Sequence, residues 1–118
     1  MLSEVANDLS DVFETANSII VIFLDLERST DRIKDILAMG AFIENILLAI
    51  HAIPEFGAFW MEDVLSKKEK INAIFKLNPK KFELMGVIAI GAIDEATNQN
   101  KYVQQRVRRS VEEFVDWF

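Results

Sequence analysis

Between Thr30 and Ile53 the chain reads TDRIKDILAMGAFIENILLAIHAI, and from Ile36 to Ile53 only Gly40, Glu44, Asn45 and His51 interrupt the apolar run. The run is too long for a strand and predicts a helix buried over most of its circumference. A surface helix of a small domain needs one apolar stripe, so this one calls for a sheet on one side and a second cover on the other. A second copy of the chain is the simplest cover. Glu44 and Asn45 are then expected to face a partner or a cavity, because a charge under so much carbon is costly. A bilayer span is not expected, since such a helix needs about 20 apolar residues and this run carries Glu44 near its middle.

At 118 residues the chain sets an expectation of one domain, residues 1–118, able to bury roughly two thirds of its unfolded surface. Hydrophobic residues make up 51% of it, which suggests apolar surface reserved for a partner. It contains no cysteine, which removes disulfides, thiolate nucleophiles and cysteine-bound metals together and suits a reducing compartment. The start MLSEVANDLSDVF lacks a basic region and is spaced as a helix face, so no signal peptide is indicated and the cytoplasm is expected. The net charge of −6 is uneven: residues 66–109 are net +6 and the rest is acidic. An acidic chain argues against general nucleic-acid binding, whereas a confined basic segment could hold one phosphate group.

Val5, Leu9, Val12 and Phe13 predict a short amphipathic helix over Ser3 to Phe13. Ile19 to Leu26 is an unbroken β-branched and aromatic run, the pattern of a central strand buried on both faces. Ser29 or Thr30 is expected to start the long helix, and Pro54 must end it. Ala58 to Met61 reads as a short strand carrying Phe59 and Trp60. Ser66 and Glu69 have capping-box spacing, predicting a helix that turns Ile71, Ile74 and Phe75 inward. Leu84 to Ile90 is the second strongly apolar strand. Ser110 and Glu113 repeat the capping box before an aromatic tail of Phe114, Trp117 and Phe118, expected to dock on something.

No stand-alone catalytic motif is present: no Gly-rich phosphate loop, no pair of metal-binding histidines, and no meaningful Ser, His and Asp spacing. His51, the single histidine, is expected to be a packed or hydrogen-bonded helix residue. Arg106, Arg108 and Arg109 stand immediately before the capped turn at Ser110. Arginine forks beside oriented N–H groups make a competent phosphate site, and a solvated basic loop is the alternative.

Taken in order, GAFIENILLAIHAI, FGAFWMEDVLSKKEKINAIFKLNPKKFELMGVIAIGAIDE and RVRRSVEEFVDWF resemble the C-terminal half of the FMN-dependent nitroreductase family. The similarity runs from about Ala16 to Phe118. The resemblance implies an α+β three-layer fold with a mixed, mostly antiparallel sheet and a long central helix packed on its two-fold mate in a homodimer. It also implies FMN at the dimer interface and hydride transfer from NAD(P)H through flavin to a nitroaromatic, quinone or similar small-molecule acceptor. By the same resemblance Met61, Glu62 and Asp63 lie near the flavin ring, and Arg106 and Arg108 contact the FMN phosphate. No catalytic acid is expected of the protein. The family's Arg-Arg-Ser-type phosphate segment and the Ser/Asn-rich segment after it do not occur in these 118 residues, so a non-catalytic dimeric remnant or binding module is the alternative.

Overall fold

The computed structural model describes residues 10–94, 109–116 and 118. Its centre is a three-stranded antiparallel sheet in the order β1 (Ser18–Asp25), β3 (Phe82–Ala92), β2 (Phe56–Met61). The long central strand β3 has Leu84, Val87, Ile88 and Ala89 buried, because it is bonded on both edges and covered on both faces. The expectation that Ile19 to Leu26 forms the central strand is corrected. β1 is indeed apolar on both faces, but an alternation pattern reports what covers the faces and says nothing of the edges, and among the described residues β1 pairs on one edge only.

Two apolar clusters, one on each face, make three layers. On one face lies α2 (Arg32–His51), whose Ile43 and Ile50 pack with Ile22 and Ile88, joined by Met39, Ile46, Leu47 and Trp60. On the other, α1 (Ser10–Thr15), a 3-10 turn (Asp63–Lys67) and α3 (Lys68–Ile74) supply Phe13, Val64 and Ile71 to a cluster with Met61, Val87 and Ala89. Ile71 has no exposed surface, and the Phe23 and Phe75 rings meet edge to face at 5.9 Å. The Ser3 to Leu9 part of the expected first helix lies outside the described residues.

The start of α2 is set by Asp31 rather than by Ser29 or Thr30. Its carboxylate accepts from the N–H groups of Ile33 and Lys34, satisfying two donors that the helix cannot. The Ser66 and Glu69 capping box does not form: the Ser66 hydroxyl donates instead to the Asp63 carbonyl at 2.9 Å, inside the 3-10 turn that precedes α3. At Ser110 the reciprocal half is present, with the Glu113 carboxylate accepting the Ser110 N–H at 3.3 Å, but it opens only a single 3-10 turn (Val111–Glu113). No helix among the described residues is long and apolar enough to cross a membrane.

Candidate functional site

Among the described residues α2 is covered on one side only. Ile33, Leu37 and Leu48 are 73%, 68% and 56% exposed, and their spacing places them with Gly40, Ala41 and Glu44 on a stripe turned away from the sheet. A Cβ added at Gly40 would meet nothing within 4 Å, so a second helix could approach closely there. Glu44 and Asn45, expected to face a partner or a cavity, are exposed in the single chain, because the sheet covers only the Ile43 and Ile50 side. His51 is also exposed, in the last turn of α2, which corrects its expected packing.

Met61, Glu62 and Asp63 follow one another where β2 runs into the 3-10 turn. Met61 as a whole residue is 1% exposed, is paired with Val87 on β3 and belongs to the core, so of the three it is Glu62 and Asp63 that can reach a ligand. Glu62 and Asp63 are exposed, and the first N–H groups of such a turn have no partners within it. This short stretch presents unbonded backbone donors at a sheet end, which suits a flat ring with acceptor atoms along one edge. The two carboxylates make it a poor place for a phosphate.

Beside it, Trp60 lies against β3 so closely that a Cβ at Gly86 would sit 2.6 Å from its Nε1. That indole nitrogen is buried and has no acceptor among the described residues. Gly86 is therefore a steric requirement of Trp60, and it falls at the point where the β1–β3 register shifts between Ile22 and Phe23.

The cationic segment is partly committed to structure. Glu83, at the start of β3, accepts two bonds from the Arg32 guanidinium and lies 3.5 Å from Lys68 Nζ. The hydrogen-bonded Arg32, helped by Lys68, holds the Glu83 carboxyl below the usual carboxylate range against the opposing effect of burial. Lys81 pairs with Glu27 at 2.8 Å. These contacts tie α2 and α3 to the sheet. Arg109 is exposed, with its guanidinium 6.0 Å from the Phe114 ring centre. Arg106, Arg108 and Trp117 lie outside the described residues. Phe114 and Phe118 are exposed in the single chain. Among the described residues no group of three or more His, Asp or Glu could hold a metal ion.

Gly57 and Gly91 belong to no motif in the sequence, and only the strand register brings them together at a cavity.

Comparison with known protein families finds no match, and no curated protein matches the chain. Among solved structures, the chain is similar to a Desulfovibrio desulfuricans protein described as a candidate nitroreductase, solved in complex with FMN. The TM-score is 0.81 at 26% sequence identity over 99% of this chain. The chain spans 64% of the length of that protein. Its mixed helix-and-sheet architecture is thus nitroreductase-like.

Proposed function

We propose that this chain is a single nitroreductase-like domain that binds FMN and passes hydride from NAD(P)H to a nitroaromatic, quinone or similar small acceptor. The observation that carries this reading is the superposition of nearly the whole chain on a protein that holds FMN. When bound, the flavin supplies the hydride chemistry, and the protein's share is to position and polarise it. The exposed residues Glu62 and Asp63 offer backbone N–H donors to the ring edge, where added negative charge is stabilised by donors that need no reorganisation. Arg106 and Arg108, in the one net-cationic third of the sequence, hold the phosphate.

The outward stripe of α2 supports a homodimer as the working unit. Ile33, Leu37 and Leu48 are apolar, adjacent and uncovered, and Gly40 leaves room for a mate. The cysteine-free composition suits the cytoplasm. A second reading is a non-catalytic dimer that keeps the fold without the flavin. The two separate on one experiment: NADH oxidation by the purified chain with FMN added, measured with a quinone acceptor. Turnover above that of free FMN supports the oxidoreductase, and none supports the second reading.

A further inference from the structure

Gly57 on β2 faces Gly91 on β3, and the next pair on the same sheet face is Phe59 with Ala89. Nothing in the backbone asks for glycine at either place. Neither has a positive φ, a Cβ at Gly57 would meet only the Ile93 side chain, no nearer than 3.5 Å, and one at Gly91 only Asn17 Oδ1 at 3.9 Å. Glycine inside a strand weakens it and often marks the close approach of a ligand or another backbone. Gly86 has a neighbour that excludes a side chain, and Gly57 and Gly91 do not.

These two glycines form the flat floor of a cavity of about 730 Å³ on the sheet face away from α2, a size typical of small-molecule sites. Phe59 and Ile93 stand beside the floor, 52% and 42% exposed, and Val12 and Ala16 of the α1 region line the opposite side. One wall is a fixed amide: Asn17 Oδ1 accepts the Ala92 N–H at 2.9 Å, which leaves its Nδ2 as a donor. Apart from Asp94, the described lining residues are uncharged, so the cavity suits a neutral ligand. Gly57 lies four strand residues, about 13 Å, before Met61, and Phe59, which also lines the cavity, lies two, about 7 Å, before it.

We propose that this cavity binds a neutral, flat, two-ring compound with an edge carbonyl. The ring lies across Gly57 and Gly91 against Phe59, and the carbonyl accepts from Asn17 Nδ2. The site stands independently of FMN. The probe is 2-methyl-1,4-naphthoquinone, titrated into the flavin-free 118-residue chain and followed by amide chemical shifts; with no cysteine present, no thiol adduct can form. Saturable one-to-one binding is expected, with shifts centred on Gly57, Phe59, Gly91 and Ala92. Gly57→Val and Gly91→Val weaken it about tenfold or more by raising the floor. Gly57→Ala and Gly91→Ala, which displace nothing in the fold, melt at or above the wild-type temperature. The proposal is overturned by an absence of saturable binding, by valine variants that bind as the wild type does, or by alanine variants that melt lower, since the last result would mean that protein already packs on the floor.

Discussion

Gly86→Ala tests the packing of Trp60 against β3, on which the α2 face of the sheet depends. The added Cβ would lie 2.6 Å from Trp60 Nε1 and 3.3 Å from Cδ1, closer than carbon and nitrogen tolerate, so the indole or the strand must move. The indole sits among Ile22, Ile43, Ile50 and Ile88 and has little room to yield. Overpacking of this kind costs about 1–3 kcal/mol, offset by something under about 1 kcal/mol from replacing a strand glycine. A net loss of about 1–2 kcal/mol follows, readable as a lower urea midpoint in circular dichroism with an unchanged slope. Trp60→Phe removes the atoms that clash and the orphaned N–H with them. In that background Gly86→Ala should cost less, with a coupling of about 0.5 kcal/mol or more. A Gly86→Ala protein as stable as the wild type, or one equally destabilised with Phe at position 60, would refute the reasoning.

Acidification provides a second test. Because the folded Glu83 carboxyl titrates below its unfolded value, the stability it contributes is present above the ordinary carboxylate range and is lost as pH falls through the lowered value. The stability gap between wild type and Glu83→Gln should therefore close on acidification; a gap independent of pH would dismiss the Arg32 pairing as its source. On the outer stripe of α2, Leu37→Asp or Leu48→Asp should give a monomer in sedimentation with its circular dichroism retained, because both side chains are exposed in the single chain. Leu47→Asp should instead unfold the chain, at a cost of several kcal/mol, because Leu47 packs toward the sheet. If Leu37→Asp and Leu48→Asp left a dimer intact, the mate would lie elsewhere. Arg108→Ala should weaken FMN binding roughly tenfold or more in a fluorescence titration, and unchanged affinity would remove Arg108 from the phosphate site.

Much of the architecture could be read in the residues because it rests on long, one-signed patterns. The Ile36 to Ile53 run predicted a helix and Ile19 to Leu26 a strand covered on both faces; the helix, Arg32–His51, lies two residues inside the expected Thr30 and Ile53, and the strand, Ser18–Asp25, is displaced by one residue. The local devices were harder. Ser66 had the spacing of a cap, but its hydroxyl found the Asp63 carbonyl first, and Asp31 outcompeted Ser29 and Thr30 because a carboxylate accepts two N–H groups at once. The exposure of Glu44 follows from which helical face the sheet takes, and that needs the register of Ile43 and Ile50 against Ile22 and Ile88. For the candidate site, Met61 to Asp63 could be located as the end of a short strand, while the burial of the Met61 side chain could not. Gly57 and Gly91 are 34 residues apart, and only the antiparallel register of β2 on β3 makes them a pair.

The flavin claim is tested most directly by an absorbance spectrum of the freshly purified 118-residue chain, taken before and after incubation with FMN and gel filtration. The account predicts flavin bands that elute with the protein at dimer size, near one FMN per chain. A colourless protein at either size, after incubation with excess FMN, would contradict it for this chain.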